Sequence, residues 1–302
     1  MKKAIIFGAS GQDGFYLKEH LLLSGYQVFA FSRSSTPSID IGRSEEVQRL
    51  LNEIKPELIF HLAAKSSVSH EHILENQNSI VNGTLALLDA VDKSLPETRV
   101  FLASSGLVFE NHGKPISVEN KLVVSSAYTL SRIQALEISR YYRGRGRLIY
   151  TGFLFNHESP RRPAESIARA IARDVVEIFQ KKKEFLNIGN ADVIKEWLWA
   201  GDAVRAMSLL SMQENIFEIC IADGSGHSIR TYAKKCCEYF GLDVDQYLRS
   251  SENFSAQYSV LVGDSAPLRA LGWEPKVDID DLARIMVEAE LAVSNVAGNN
   301  GI

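Results

Sequence analysis

Residues 8–14 read GASGQDG and directly follow the apolar run Lys3–Phe7. Behind this stretch the leucines at 17, 21 and 22 recur at helical spacing, and Gly25 ends the segment. A strand, a glycine-rich turn and a helix are therefore predicted in that order. Glycines in such a turn let the backbone approach a pyrophosphate, whose charge then lies on free amide groups at the positive end of the helix. The stretch predicts dinucleotide binding.

Four more apolar runs of strand length follow in the first half of the chain: Tyr26–Phe31, Leu58–Leu62, Val100–Ala103 and Leu148–Thr151. They alternate with segments of helical periodicity, which is typical of parallel strands joined by crossover helices. The predicted fold class is α/β, a Rossmann-type doubly wound parallel sheet with a smaller C-terminal substrate-binding lobe. We expect a dinucleotide-binding domain over 1–155, with contributions from later segments, a substrate-binding lobe over 156–294 and a flexible tail over 295–302.

The composition of the 302-residue chain is that of an ordinary globular protein, with 45% hydrophobic and 23% charged residues. A formal charge of -4 predicts no general attraction to nucleic acid. The run MKKAIIF is too short for a signal-peptide core or a membrane span. Three cysteines, two of them adjacent, suggest no disulfide framework, and the pair His70 and His72 lacks a third ligand for a metal. We expect a cytoplasmic protein without a metal site.

The second predicted strand ends in FAFSRSS, which should lie beside the adenosine ribose of the dinucleotide. An acidic residue there would bind the ribose hydroxyls. Arg33 with Ser32, Ser34 and Ser35 suits a 2′-phosphate instead. The predicted cofactor is therefore NADP, with NAD as the alternative.

Tyr128 and Arg132, in SSAYTLSR, are four residues apart and share one face of a predicted helix. A free tyrosine titrates near pH 10, so it is a poor base unless a cation stabilises its phenolate. Arg132 supplies such a cation. The pair follows the end of the fourth strand, where Ser105 is placed to hydrogen-bond the same substrate oxygen.

The chain resembles the extended short-chain dehydrogenase/reductases and, more narrowly, the GDP-mannose 4,6-dehydratases. The segments that carry the resemblance occur in family order: GASGQDG, HLAAKSSV (61–68), FNHESPRR (155–162), IGNADVIKEW (188–197) and LGWEP (271–275). In that family a tyrosine takes the proton of the sugar 4-hydroxyl while a hydride passes to the nicotinamide. A glutamate then removes the proton on carbon 5, water leaves from carbon 6, and the hydride returns there.

The resemblance assigns roles to individual positions of this chain. The predicted catalytic residues are Ser105, Tyr128 and Arg132. The predicted cofactor contacts are Gly8, Ser10, Gly11, Gln12, Asp13, Gly14, Arg33, Asp40, Ala63, Ala64, Tyr128 and Arg132. Asn156, Glu158 and Lys195 are predicted to bind the substrate, Lys195 at the position of a phosphate-binding arginine. The implied partner is a nucleotide sugar, with GDP favoured.

Three departures from the family pattern concern chemistry. Arg132 replaces the lysine of YxxxK, and an arginine cannot deprotonate. Leu107 occupies the position of the glutamate that takes the carbon 5 proton. A distal arginine and glutamate align with Phe254 and Gln257, which would remove one contact to the nucleotide.

These departures leave several functions open. A 4,6-dehydratase requires a replacement base, whereas a 4-dehydrogenase, 4-ketoreductase or epimerase needs none, and a non-catalytic binding protein is the third alternative. Arg161 and Arg162 suit either phosphate groups or subunit contacts. The helices around Glu75–Val91 and Ser126–Tyr142 are those with which similar enzymes form dimers, so a homodimer or homotetramer is expected.

Overall fold

The computed structural model describes residues 2–34, 38–65, 67–251 and 256–299 of the chain. The strands are β1 (Lys3–Phe7), β2 (Gln27–Phe31), β3 (Leu58–His61), β4 (Arg99–Ser105), β5 (Ile149–Leu154), β6 (His157–Glu158), β7 (Leu186–Ile188), β8 (Ile194–Lys195), β9 (Leu198–Trp199), β10 (Glu218–Ile221), β11 (His227–Ser228), β12 (Leu248–Ser250) and β13 (Val260–Leu261). The α-helices are α1 (Gln12–Leu23), α2 (Ser44–Ile54), α3 (Ile73–Asn76), α4 (Gly83–Ser94), α5 (Ala127–Gly144), α6 (Ile167–Phe179), α7 (Ala200–Leu210), α8 (Ile229–Glu238), α9 (Val244–Tyr247), α10 (Ala266–Ala270) and α11 (Ile279–Asn299).

Six parallel strands form the central sheet in the order β10-β5-β4-β3-β1-β2. The strand order reverses beside β1, and the carboxyl ends of β1, β3 and β4 border the crevice at this reversal. Ligands of open α/β sheets bind in such a crevice. The predicted Rossmann-type sheet is confirmed, and β10, from the second half of the chain, completes it.

Both faces of the sheet are covered, because alternate strand residues point to opposite sides. Ile5 and Phe7 of β1 pack in one core with residues of α2, α4 and α5. Ala4 and Ile6 pack in a second core with residues of α1 and α7. A sheet buried on both sides requires continuous apolar strands, which explains why the sequence runs are apolar rather than alternating.

A third core lies outside the sheet and combines residues of α6, α8, α11 and β7 with others that include Trp197. Trp197 and Tyr232 stack there with ring centroids 4.0 Å apart. A fourth, smaller cluster joins this lobe to the end of β5 and includes Phe155 and Leu261. The lobe and the sheet therefore meet through apolar contacts at the strand ends that border the crevice.

Two segments differ from the predicted elements. The region 75–91 is not one regular helix: α3 is followed by a π-helical stretch, Gln77–Asn82, before α4 begins. The last helix, α11, continues past residue 294 to Asn299, so it enters the predicted tail, and residues 300–302 lie outside the described range. None of the helices in the described ranges is long and apolar enough to cross a bilayer.

Candidate active site

A cleft of about 980 Å³ opens at the carboxyl ends of the central strands. Its walls come from the turn after β1, the ends of β2 to β5, the start of α5 and the segment 155–163. All twelve predicted cofactor contacts line this cleft: Gly8, Ser10, Gly11, Gln12, Asp13, Gly14, Arg33, Asp40, Ala63, Ala64, Tyr128 and Arg132. The cleft also contains Ser105 and Asn156.

The glycines of the first turn have distinct tasks. Gly8 has φ +90°, and an added Cβ would lie 2.7 Å from the backbone nitrogen of Ala63. A Cβ on Gly14 would lie 2.5 Å from the Gly8 carbonyl oxygen, so this glycine allows α1 to approach β1. At Gly11 an added Cβ would meet only that oxygen, at 3.4 Å. The backbone around Gly11 thus faces open space, which fits a pyrophosphate at the start of α1.

Tyr128 lies in the first turn of α5, and a capping box fixes where that helix begins. The Ser126 hydroxyl accepts a hydrogen bond from the Thr129 amide at 3.2 Å, and the Thr129 hydroxyl accepts one from the Ser126 amide at 2.9 Å. The Tyr128 ring packs against Ile80 and Ala135 and is 8% exposed. The cap therefore sets the position of the phenol at the cleft wall.

Arg132 lies one turn further along α5 and is buried. Its guanidinium carbon is 5.1 Å from the centroid of the Tyr128 ring, and Nη1 donates to the Ala103 carbonyl at the end of β4. Nε has no hydrogen-bond partner among the described residues. Burial, with the charge of Arg132 adding to it, lowers the pKa of neighbouring His61 to about 3, so His61 is neutral. Arg132 thus places a fixed positive charge beside the phenol.

Ser105 ends β4 and is buried at the cleft wall. Its hydroxyl oxygen accepts a hydrogen bond from the Leu107 amide at 3.2 Å, which leaves the hydroxyl proton available to a ligand. Leu107 also lines the cleft and packs against the cluster that contains Phe155 and Leu261. The position at which the resembled family has a glutamate is therefore part of an apolar wall.

The segment 157–161 is locked onto the first turn of α1 by polar and aromatic contacts. Ser159 donates to the Gln12 side-chain oxygen at 2.7 Å, and Gln12 donates to the His157 carbonyl at 3.3 Å. The Arg161 guanidinium lies 3.3 Å from the centroid of the Phe15 ring. The glycine turn after β1 and the segment 157–161 consequently form one unit, which we call the turn–segment interlock.

Asp13 and His157 form an ion pair within the interlock. His157 Nε2 lies 2.9 Å from the Asp13 carboxylate, and Nδ1 lies 2.7 Å from the Phe155 carbonyl. Because both partners are acceptors, both ring nitrogens carry protons and the imidazole is charged. Burial opposes both charges, yet the attraction between the partners raises the pKa of His157 and lowers the pKa of Asp13. The Asp13 carboxylate thus points to His157.

The three predicted substrate contacts divide into two groups. The Asn156 side-chain oxygen is buried at the cleft and has no hydrogen-bond partner among the described residues, as expected of a group that awaits a ligand. Glu158 and Lys195, by contrast, are buried behind the cleft wall and pair with each other at 3.2 Å. Arg162, which lines the cleft, lies 3.4 Å from the other Glu158 oxygen.

At the end of the cleft beside β2, where the sequence predicts the adenosine, Arg33 forms an ion pair with Glu75 of α3 at 2.8 Å. The Asp40 carboxylate accepts hydrogen bonds from the Gly42 amide at 3.0 Å and from Asn78 at 3.4 Å, so it braces the loop before α2. Ser35 and Phe254, both used in the sequence argument, lie outside the described residues.

Among the cleft residues to which the sequence assigned no role, three have contacts or charges that bear on the site: His157, Glu75 and Tyr258. His157 lies within FNHESPRR, and its polar side chain was the signal that could have identified it as a site residue. Neither Glu75 nor Tyr258 lies in a recognisable motif, because only folding brings these residues to the cleft. Burial, with the negative charge of Glu158 adding to it, raises the pKa of Tyr258, which is therefore a protonated donor beside Leu261.

The residues present fit a nicotinamide dinucleotide: a glycine turn open at Gly11, a phenol–serine pair, and an asparagine oxygen that has no partner among the described residues. In the described part of the chain no group of three His, Cys, Asp or Glu side chains is placed to hold a metal ion.

Sequence comparison relates the chain to one family. A family model described as GDP-mannose 4,6 dehydratase matches residues 5–286. The GDP-mannose 4,6 dehydratase of Cricetulus griseus is 30% identical over an alignment that covers 99% of this chain and 94% of the relative. That of Yersinia enterocolitica is 29% identical, with coverage of 96% and 94%.

Structure comparison agrees on the fold. RMD from Pseudomonas aeruginosa, solved with NADPH, superposes with a TM-score of 0.84 at 21% identity and covers 97% of this chain and all of that one. A dTDP-glucose 4,6-dehydratase from Bacillus anthracis, solved with NAD, gives a TM-score of 0.83 at 16% identity, with 98% of each chain covered.

Proposed function

Because this chain belongs to the GDP-mannose 4,6-dehydratase family, we propose that it moves a hydride between carbon 4 of a GDP-linked hexose, or a related nucleotide sugar, and a nicotinamide cofactor. It is a nucleotide-sugar-modifying enzyme. The observation that carries the proposal is the cleft itself, where Tyr128, Ser105 and Asn156 line the same space as the glycine turn.

In this proposal Tyr128 exchanges a proton with the sugar 4-hydroxyl. Arg132, 5.1 Å from the ring, stabilises the phenolate, and Ser105 donates a hydrogen bond to the same sugar oxygen. The side-chain oxygen of Asn156, which has no hydrogen-bond partner in the described part of the chain, accepts a hydrogen bond from the sugar. A nicotinamide held in this cleft would supply the hydride chemistry at carbon 4.

Two groups of side chains are proposed to hold the phosphates. The open backbone around Gly11 at the start of α1 takes the cofactor pyrophosphate. Arg161 and Arg162, which line the cleft at the end of the interlock, take the sugar diphosphate. The burial of Lys195 against Glu158 argues against a direct phosphate contact for that lysine.

The geometry supports dehydration at carbon 6 less than it supports hydride transfer at carbon 4. The carboxylates along the described cleft lining are Asp13, Asp40 and Glu75, and all three lie on the cofactor side with partners of their own. Family membership favours the 4,6-dehydratase. The apolar wall at Leu107 favours a second candidate, redox chemistry at carbon 4 without loss of water.

The test is to incubate the purified protein with GDP-, UDP-, CDP- and dTDP-hexoses and NADP or NAD, following absorbance at 340 nm and product mass. A product lighter by one water, with no net reduced cofactor, establishes the dehydratase. Tyr258→Phe then tests whether the second phenol replaces the missing glutamate. A product lighter by two hydrogens with reduced cofactor, or an epimer of unchanged mass separated by chromatography, establishes the second candidate. No turnover of any hexose, or of a 4-keto sugar with reduced cofactor, contradicts both.

The assembly proposed is a homodimer through α4 and α5, or a homotetramer made of two such dimers. Leu85 on α4 is 47% exposed and Tyr141 on α5 is 63% exposed, so both helices carry an apolar side chain facing outward. A cytoplasmic location remains the proposal that the cysteine content suggests; Cys220, Cys236 and Cys237 are free and buried.

A further inference from the structure

At the adenosine end of the cleft, a basic side chain and an acidic side chain face each other. Arg33 follows β2, and Glu75 comes from α3, a separate element on the opposite wall. Arg33 Nη2 lies 2.8 Å from Glu75 Oε1, with side chains 70% and 33% exposed. The two side chains can separate at little cost, because solvent-exposed ion pairs contribute only about 0–1 kcal/mol to stability.

This pairing changes what the sequence predicts about the cofactor. A dinucleotide site selects NAD when a carboxylate binds the ribose hydroxyls, and NADP when an arginine binds the 2′-phosphate. The sequence after β2 offers only the arginine. Folding adds a carboxylate at the same place, and it belongs to Glu75.

Other charges nearby do not replace Glu75. Asp40 lines the cleft too, but its Oδ1 accepts hydrogen bonds from the Gly42 amide and Asn78, and its Oδ2 lies 3.9 Å from Arg43. His72 Nδ1 lies 3.5 Å from the second Glu75 oxygen, and the charge of Lys65 acts on the same carboxylate. The hydrogen bond from Arg33 lowers the pKa of Glu75, so the carboxylate is ionised at neutral pH where it lines the cleft.

We infer that Glu75 and Arg33 act as opposing selectors of the cofactor, an inference that rests on the proposed function because it requires a bound nicotinamide dinucleotide. With NAD, the Glu75 carboxylate accepts hydrogen bonds from the ribose hydroxyls. With NADP, Arg33 leaves Glu75 for the 2′-phosphate, and the carboxylate then faces that dianion. Glu75 thus favours NAD and opposes NADP, so the protein accepts both.

The experiment measures dissociation constants of NADP and NAD by calorimetry for the wild type and three variants. Glu75→Gln keeps the side-chain shape and should tighten NADP about fivefold while weakening NAD about threefold. Arg33→Gln should weaken NADP about tenfold and leave NAD within about twofold. The matched control is Glu71→Gln, which removes the same charge from an exposed neighbouring position outside the cleft lining, and the NADP to NAD ratio should stay within about twofold.

Two results overturn the inference: an unchanged ratio in Glu75→Gln, or an equal shift in Glu71→Gln, which would assign the effect to net charge. Failure of the wild type to bind either dinucleotide is a separate outcome, since it contradicts the proposed function before the selectors are tested.

Discussion

Tyr128 is the side chain on which the proposed proton transfer depends. Tyr128→Phe removes the hydroxyl but keeps the ring that packs on Ile80 and lies beside Arg132. We expect kcat to fall about 10²- to 10⁴-fold, because general acid–base catalysis contributes on that scale. Cofactor affinity should change by less than about threefold, since the loss is in proton transfer. Steady-state kinetics and cofactor titration measure the two quantities.

The control for this substitution is Tyr141→Phe on the same helix, because Tyr141 is 63% exposed and is not among the residues that line the cleft. Its kcat should match that of the wild type. If Tyr128→Phe also turns over at the wild-type rate, another group carries the proton.

The Asp13–His157 ion pair predicts a pH-dependent contribution to stability. The pKa of His157 is raised from its ordinary 6.5, so its contribution is complete below that pH and is lost as the pH rises through the raised value. The pKa of Asp13 is lowered from 3.8, so its contribution is present above that pH and is lost only in stronger acid. His157→Asn should therefore lower the free energy of unfolding by about 1–3 kcal/mol near pH 6, and by less near pH 9.

Urea unfolding of both proteins across this range tests the prediction. His112→Asn serves as the control, because the His112 side chain is 69% exposed and its removal should cost less than about 0.5 kcal/mol at each pH. A loss at His157 that is the same at both ends of the range would mean that the imidazole acts through packing and not through charge.

At the scale of elements, the approach of α1 to β1 depends on Gly14. Its added Cβ would lie 2.5 Å from the Gly8 oxygen and 2.6 Å from the Ala9 Cα, both backbone atoms that cannot move aside. Gly14→Ala should lower the free energy of unfolding by about 1–3 kcal/mol through overpacking.

Gly11→Ala separates folding from binding, because its Cβ meets one atom at 3.4 Å and otherwise open space. We expect near wild-type stability but weaker cofactor binding, measured by thermal unfolding and by titration. Equal stability of the two variants would contradict the close approach at Gly14.

The strands and α1 could be predicted because each leaves a local signal. Strands buried on both faces are apolar throughout, and a glycine turn marks the junction at Gly8. The π-helical stretch Gln77–Asn82 left no such signal, since one extra residue in a turn disturbs periodicity only slightly. The pairing of Asp13 with His157, and of Glu158 with Lys195, joins distant segments, so neither partner reveals the other in the sequence.

For the whole molecule, the exposed side chains of α4 and α5 predict self-association. Leu85→Glu combined with Tyr141→Glu should convert the assembly to a 33.6 kDa monomer, because two charges would be buried without partners. Size-exclusion chromatography with light scattering measures the mass. Leu23→Glu is the control, as Leu23 is 90% exposed on α1, a different surface, and should leave the mass unchanged. If the wild type has the mass of a single chain, the proposed assembly is wrong.

The turn–segment interlock limits how this molecule can be recombined with its relatives. Ser159 depends on Gln12, and His157 depends on Asp13, across more than 140 positions of the chain. A chimera that imports another protein's substrate segment over 155–166 must therefore import the matching pair at 12 and 13 as well. Under the proposed function, grafts that respect this pairing should inherit a new sugar preference with the fold intact, whereas grafts that split it would leave an unpaired charge beside the glycine turn.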